Sequence, residues 1–382
     1  MDFSLSPEER ALRDSIVKFS RGVLNDHVAE RDRQQEFPRE LWRKCGEMGL
    51  PGLPVPPEYG GSGLDAVGCA VALEALGYGC TDGGLVFSLS AHLLACVVPL
   101  WKHGTEEQKR RYLPGLCDGT LVGAHAITEP GSGSDSFSMR TRAERVAGGW
   151  KLNGTKTFIS NGPVADVAIV FAVTDADKGF HGGTTAFLVD TGTKGFSTSR
   201  KFEKLGLRTS PVGELVFEDM VVPDEAVLGK VGGGSVAFGS AMDWERALLV
   251  AGHVGTIERL LETSVAYART RTQFGQQIGK FQSVSSKIAD MKVSLEAGRA
   301  LVHKAAWMLE HSRTASLDAS IAKLFVSEVL LKSALDCIQI HGGYGFMVEY
   351  EVERTLRDAV GSTIYSGTSE MQRSIIGRWL GL

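Results

Sequence analysis

Hydrophobic and polar positions change their period twice along this chain. From Ser6 to about Gly119 the spacing is helical. Ser6-Pro7-Glu8-Glu9 forms a capping box with proline at the first helical position, and Leu12, Ile16, Phe19 and Val23 follow on one face. Residues 37–46 predict a second helix, ended by the Pro- and Gly-rich run 51–63. Thr105-Glu106-Glu107-Gln108 opens a further helix with another capping box. From about Val122 to Pro223 the signal becomes β. Residues 151–160, 167–174, 185–190 and 214–217 are short runs rich in Val, Ile, Phe and Thr, with turn residues such as Asn153-Gly154 and Asn161-Gly162-Pro163 among them. After Gly232-Gly233-Gly234, long helical patterns with few prolines continue to Leu380, enough for four or five helices of a bundle. The order α, then β, then α gives an α+β chain with units at 1–121, 122–230 and 231–382. No strand alternates with a crossover helix, which disfavours a doubly wound dinucleotide fold. The glycine triplet therefore reads as a domain-joining loop.

Composition narrows the function classes. A chain of 382 residues exceeds one ordinary domain, and 43% apolar with 23% charged residues describes a folded globular protein. A net charge of −4 argues against a nucleic-acid surface, and the short run Lys109-Arg110-Arg111 reads as a solvated helix face. Cys45, Cys69, Cys80, Cys96, Cys117 and Cys337 lie far apart, with no CxxC pair and no metal-ligand spacing, so buried thiols in a reducing compartment are expected. The N-terminal MDFSLSPEER lacks a basic stretch followed by an apolar one. The most apolar window, 85–101, is interrupted by Ser88, Ser90, His92 and Pro99 and predicts a buried core helix rather than a membrane span. The expected location is the cytoplasm, with neither membrane nor nucleic acid as partner.

Several segments carry a family resemblance. Ile364 to Gln372 reads IYSGTSEMQ and resembles the signature that acyl-CoA dehydrogenases place beside their flavin. Ala126-Ile127-Thr128-Glu129-Pro130 with Gly133-Ser134-Asp135, Gly149 to Lys156 (GWKLNGTK), Arg271 to Gly275 (RTQFG) and Gln339 to Gly345 (QIHGGYG) match the same family, in its order and spacing. Together they make the chain similar to acyl-CoA dehydrogenases over essentially its whole length. The resemblance implies an N-terminal α-helical domain, a middle β-barrel-like domain and a C-terminal four-helix bundle. It also implies a homotetramer, FAD bound between the β domain and the bundle, and oxidation of an acyl thioester to its 2,3-enoyl form. Electron-transfer flavoprotein or another acceptor would take the electrons.

That chemistry removes an α-proton from a weakly acidic thioester while a β-hydrogen leaves as hydride to flavin N5. The protein must supply a base, alignment and hydrogen bonds to the thioester carbonyl. By resemblance, the segment from His125 to Ser134 lays the backbone of Ile127 and Thr128 on the flavin ring. Gly133 and its neighbours allow close backbone approach to phosphate, and Ser134 lies near the thioester or the pyrophosphate. Read without the resemblance, the same segment is a Gly/Ser surface turn. Phe158-Ile159-Ser160 matches the family's Trp-Ile-Ser/Thr; Ser160 would bond the flavin edge, and Phe158 departs from the common tryptophan. Arg271, Phe274 and Gln282 match residues that reach the FAD pyrophosphate and adenosine across a dimer interface. Gln339, Gly342 and Gly343 match another contact from a neighbouring subunit, and Thr368 and Glu370 belong to the flavin-side signature.

In many members the residue before the Gly-Thr of that signature is the catalytic glutamate, and here it is Ser366. The candidate replacement is Glu245, in Asp243-Trp244-Glu245-Arg246, expected at the start of a helix running from about Ser240 toward Glu262. Its neighbours three and four positions away are Ala241, Met242, Leu248 and Leu249, so no local ion pair can hold it, and Arg246 is expected to point elsewhere. A carboxylate on an apolar face is either paired with something distant or raised in pKa, as suits a general base. A lone helical glutamate is more often structural. However, the isovaleryl- and long-chain-type branches of the family carry their base at the position matching Glu245 and lack one at the position matching Ser366. Ser366, with Gly367, would then offer mainly backbone N–H to the thioester carbonyl. Asp243 and Arg246 match contacts to the nucleotide or pantetheine end of the substrate; a surface i,i+3 pair is their competing reading.

The first reading is thus an acyl-CoA dehydrogenase. Phe158, Gly79-Cys80-Thr81-Asp82 and Tyr365 to Thr368 are also similar to a subset of the family acting on carrier-protein-bound acyl groups, including oxidation of prolyl to pyrrolyl, so an acyl- or prolyl-carrier-protein substrate stands as the alternative. A flavin monooxygenase on the same scaffold would need no α-proton base, and Glu245 argues against it. A DNA-associated relative is disfavoured by the acidic balance.

Overall fold

The computed structural model describes residues 4–382. The N-terminal part is helical: α1 Pro7–Phe19, α2 Val28–Gln34, α3 Arg39–Glu47, α4 Ala66–Gly79, α5 Gly83–His92, α6 Val98–His103 and α7 Glu106–Cys117. Both capping boxes form. Ser6 Oγ accepts the Glu9 N–H at 3.1 Å while Glu9 Oε2 accepts the Ser6 N–H at 2.7 Å, and Thr105 and Gln108 repeat the exchange. Short α2 has no signal in the sequence, because left-handed residues, His27 and Gln35, bound it at both ends. A π-helical turn, Leu93–Val97, joins α5 and α6 into one rod of 21 residues, Gly83–His103. Its length and composition would suit a membrane span, yet it lies within the core. Its polar residues find partners there: Ser88 Oγ bonds Ser210 Oγ, and Ser90 Oγ bonds the Val86 carbonyl. His92 Nδ1 accepts the Gly123 N–H, leaving Nε2–H to donate to Leu116 O, and burial pushes this imidazole down to about 4.

The middle part is one sheet of eight strands: β1 Gly123–Ala126, β2 Arg142–Val146, β3 Gly149–Ser160, β4 Val167–Val173, β5 Thr184–Asp190, β6 Phe196–Lys201, β7 Val212–Pro223 and β8 Val227–Leu228. Its order is β6-β7-β3-β2-β4-β5-β8, with β1 added in parallel beside β4. A short helix, α8 Gly179–Gly183, lies between β4 and β5. Strand alternation explains why β4 is buried on both faces. Val167, Ile169 and Phe171 enter the core shared with the helices, while Ala168, Val170 and Ala172 enter a second core with Trp150, Leu152 and Phe217. The strands not predicted are β1, β2, β6 and β8. The first has four residues and the last has two, while β2 and β6 expose most of theirs.

The C-terminal part holds α9 Gly234–Thr270, α10 Gln282–His311, α11 Ser316–His341, α12 Val352–Ser362 and α13 Ser369–Trp379. At 37 residues, α9 is the central rod, packing on α4, α10 and α11. It starts six residues before the expected position, because Gly233 caps it and Gly239 does not interrupt it. Glu245 therefore sits about three turns inside the helix rather than at its positive end, so its environment owes nothing to the helix dipole. Backbones of α4 and α9 touch at glycine: a Cβ on Gly77 would lie 1.9 Å from Gly252 O, and one on Gly255 2.0 Å from Glu74 O.

That crossing yields a stability prediction. Gly77→Ala forces α4 from α9 and is expected to cost about 1–3 kcal/mol. Gly239→Ala, where a Cβ meets nothing within 4 Å, should gain up to about 1 kcal/mol from helix propensity. Denaturant unfolding of both variants checks the contrast; equal stabilities would contradict it.

Candidate active site

Glu245 is 8% exposed and takes one hydrogen bond, from Ser366 Oγ to Oε1 at 2.6 Å. Among the described residues it has no ion pair within 4 Å. Burial raises its pKa; the Ser366 hydroxyl and the charges of Arg246 and Lys323 pull the other way without cancelling the rise. The carboxylate is therefore desolvated, half-satisfied and poised to accept a proton.

The turn that brings Ser366 to Glu245 is conformationally costly. Ser366 has φ 57° and Gly367 φ 89°, and a Cβ on Gly367 would lie 2.7 Å from Gln372 Nε2. Ser366 O accepts from Arg246 Nε at 3.1 Å and Gln372 Nε2 at 3.2 Å; Gly367 O accepts from Lys323 Nζ at 2.7 Å and Gln372 Nε2 at 2.8 Å. Neither the Ser366 nor the Gly367 N–H has an acceptor among the described residues, so both remain free to meet a carbonyl oxygen beside the carboxylate. Thr368 caps α13 by accepting the Met371 N–H, which points Thr368 Oγ1 along the helix; Glu370 is exposed in its first turn.

Two expectations need correction here. Ser366 contributes its hydroxyl to Glu245 as well as its backbone. Arg246 does not point away: its guanidinium reaches the same turn, and its charge acts on Glu245. Asp243 and Arg246 also form no ion pair within 4 Å. Asp243 is half-buried, and burial raises it above the usual carboxylate range against the opposing charges of Arg246 and Lys102.

A second group lies where β1 meets the end of β3. Lys156 is fully buried, donating from Nζ to Glu129 Oε1 at 2.8 Å and to Ile127 O at 3.0 Å, while Glu129 accepts the Arg140 and Thr141 N–H groups. Burial pushes the Lys156 ammonium down to about 8. Burial would raise Glu129, but Lys156 and the N–H donors outweigh it and hold the carboxyl below its usual range. The pair fixes the Ile127–Thr128 segment, which Thr157 also ties through its N–H to Thr128 O at 2.8 Å. Two residues on from Lys156, a bulge turns Phe158 outward at φ 57° and 63% exposure. Ile159 is buried and Ser160 half-buried at the strand end. His125 is a wall of this region: Nδ1 bonds Ala95 O, Nε2 is buried without a partner, and burial lowers its pKa to about 4. Gly133 and Ser134 are exposed on the following loop. An exposed strained aromatic, an orphaned imidazole nitrogen and an open strand end fit a planar heteroaromatic ring such as flavin.

A third group sits at the far end of the bundle. Thr272–Gln273 and Gln276–Gln277 pair as a hairpin whose two-residue loop is Phe274 (φ 50°) and Gly275 (φ 77°), which presents Phe274 at 94% exposure. A surface groove beside it is lined by Tyr267, Arg271, Ile340, Gly342, Gly343 and Tyr344. The Arg271 guanidinium stacks 5.6 Å from the Tyr344 ring and has no carboxylate partner among the described residues. Glycines, rings and a free guanidinium suit an adenine and a pyrophosphate. Gln282 and Gln339 are exposed nearby in sequence, at the start of α10 and the end of α11. No residue of 123–228 lines this groove, so one chain does not bring it together with the Phe158 edge.

Sequence reasoning missed Lys323, Gln372 and the Lys156–Glu129 pair. Lys323 had a signal: a lone cation on a helix face of small and apolar residues, Ala319, Ser320, Ala322, Val326, Ser327 and Leu330. The other two had none: Glu129 lies 27 residues from Lys156, and Gln372 meets carbonyls that only a turn at positive φ presents to it.

Comparison with known proteins agrees with this layout. Residues 6–120, 124–220 and 232–381 match the models for the N-terminal, middle and C-terminal domains of acyl-CoA dehydrogenase. The chain is 42% identical to L-prolyl-[peptidyl-carrier protein] dehydrogenase of a Serratia species over 382 residues, covering 100% of this chain and 99% of that one. It is 40% identical to the short-chain specific acyl-CoA dehydrogenase of Clostridium acetobutylicum over 376 residues, 98% of each. Among solved structures, PigA with FAD and proline superposes with a TM-score of 0.97 at 42% identity over 100% of both chains.

Ser366→Ala tests the geometry around the carboxylate. A group must be ionised to take a proton, so activity falls as pH drops through its folded-state pKa. Removing a hydrogen bond to a buried charge, worth about 1.5–3 kcal/mol, raises that pKa. The acid limb of thioester-driven flavin reduction should move up by roughly 1–2 pH units; an unmoved limb would contradict the assignment.

Proposed function

We propose, from the premise that the chain belongs to the acyl-CoA dehydrogenase family, that it dehydrogenates a prolyl group held as a thioester on a carrier protein. Its cofactor is FAD. The observation that carries the reaction type is the buried Glu245, without an ion pair among the described residues, beside a turn whose Ser366 and Gly367 N–H groups have no acceptor among them. The prolyl-carrier substrate is supported by the full-length likeness to the Serratia dehydrogenase and to PigA, the latter solved with FAD and proline.

In this reading Glu245 takes the α-proton, and the N–H groups of Ser366 and Gly367 face the thioester oxygen as negative charge builds there. FAD, when bound, would supply the acceptor for the β-hydrogen as hydride. Ser366 Oγ holds the carboxylate in place before transfer, and its hydrogen bond weakens in importance once Glu245 is protonated. Low exposure keeps water from the carboxylate, which preserves its basicity. The Ile127–Thr128 segment, Phe158 and Ser160 would hold the flavin ring, with His125 behind it and Gly133 and Ser134 at its phosphate side. Arg271, Phe274, Gln282, Gln339, Gly342 and Gly343 would hold the adenosine end from a second copy. Their distance from the Phe158 edge in one chain supports that division and the proposed homotetramer. Electron-transfer flavoprotein or another acceptor would reoxidise the cofactor, and six free buried thiols are in keeping with a cytoplasmic setting. An acyl-CoA substrate is the second reading, favoured by the Clostridium relative.

Anaerobic titration of the FAD-loaded protein with prolyl-loaded carrier protein and with acyl-CoAs of graded length separates the two. The expectation is rapid loss of flavin absorbance with the prolyl thioester; bleaching by acyl-CoAs alone would replace this substrate with the second reading. Glu245→Gln should retain FAD and slow bleaching by about 10²–10⁴-fold. Because burial raises the folded-state pKa of Glu245, its ionisation begins to cost stability as pH rises through the unfolded-state pKa, and the cost is complete above the folded-state one. The Gln variant should therefore melt higher than the parent at neutral pH, with the difference vanishing in acid.

A further inference from the structure

Lys323 stands out among buried titratable groups that the mechanism above does not use. It is 1% exposed in the middle of α11, on a buried face of Ala319, Ala322, Val326 and Leu330 that also carries the small hydroxyls of Ser320 and Ser327. Burying an ammonium there is expensive unless something specific is gained. Its ammonium donates from Nζ to the Gly367 carbonyl, at 2.7 Å, in the turn that also carries Ser366. With Gln372 and Arg246 it fixes two successive carbonyls of a left-handed segment, and a backbone so held carries the Ser366 side chain to Glu245.

We propose that Lys323 is a positioning residue for this reaction: from α11 it clamps the Ser366–Gly367 turn so that its hydroxyl meets the base and its N–H groups meet the thioester oxygen. The inference rests on the reading of Glu245 and Ser366 given above. The cation acts through geometry first and through its field second. Facing it are Glu245 and Arg246 on α9, Glu370 on α13 and Glu328 on its own helix, with His253 of α9 also within its field. Burial pushes Lys323 down to about 8, with Arg246 lowering it further and the carboxylates opposing. Below that value the ammonium helps keep Glu245 ionised, so its loss both loosens the turn and raises the carboxyl pKa.

The test compares Lys323→Met, Lys323→Gln and Lys323→Arg in the FAD-loaded protein, following flavin reduction by the thioester that reduces the parent. Met and Gln variants should lose roughly 10- to 100-fold in the reduction rate at saturation, as for a small misplacement of reacting groups. Their half-saturation should change little, and the acid limb should move to higher pH. Arg, which keeps a cation and donors, should return most of the rate and the original limb. Full rates in both neutral variants, or a loss confined to half-saturation, would overturn the proposal. So would an Arg variant no better than Gln. Should Met fail to retain FAD, the contrast between Gln and Arg still decides the matter. If no thioester reduces the parent protein, the functional reading fails instead, which is a distinct outcome.

Discussion

The desolvation of one carboxylate organises this molecule. Glu245 is buried on a helix with apolar neighbours, and a charge removed from water must be either paired or raised in pKa. Here, among the described residues, a hydroxyl and not a cation donates the hydrogen bond it receives. The compromise leaves the group held in place without being neutralised by an ion pair, which is what a proton acceptor near neutral pH requires. Arg246 and Lys323 lie one step further out, bonded to the carbonyls of the turn rather than to the carboxylate. Their charges temper the rise while their hydrogen bonds hold the turn.

Holding that arrangement demands rigid supports from every part of the chain. The central helix α9 can approach α4 only because Gly77, Gly252 and Gly255 lack side chains at the crossing. The buried Lys156–Glu129 pair does for the Ile127–Thr128 segment what Lys323 does for the Ser366 turn: a charged group fixes irregular backbone beside the proposed site. In both cases the strained residue next door, Phe158 or Ser366, has a positive φ. The strain sits where the chemistry is proposed and is countered by charge-assisted bonds.

Much of this is legible in the sequence. Helical spacing, two capping boxes and the β-rich centre predict the order of elements, since those signals are local. What they leave out has physical causes. Strand β6 exposes nearly all its residues, so it has no alternation to read, and α2 is bounded by backbone conformation instead of capping side chains. Local spacing places Glu245 too near the start of its helix, because a glycine-rich start looks like a loop until it is packed.

By itself, then, the sequence determined the α, β, α order and the family likeness, and it singled out Glu245 as the candidate base where Ser366 stands in place of a glutamate, because each depends on residue identity and motif. Only the tertiary structure decided what surrounds that glutamate. The Ser366 hydroxyl lies 121 positions away along the chain, and Gly367 O meets Lys323 across 44. Contacts of that separation are set by how helices pack and where a turn takes positive φ, and neither leaves a periodic trace in the chain.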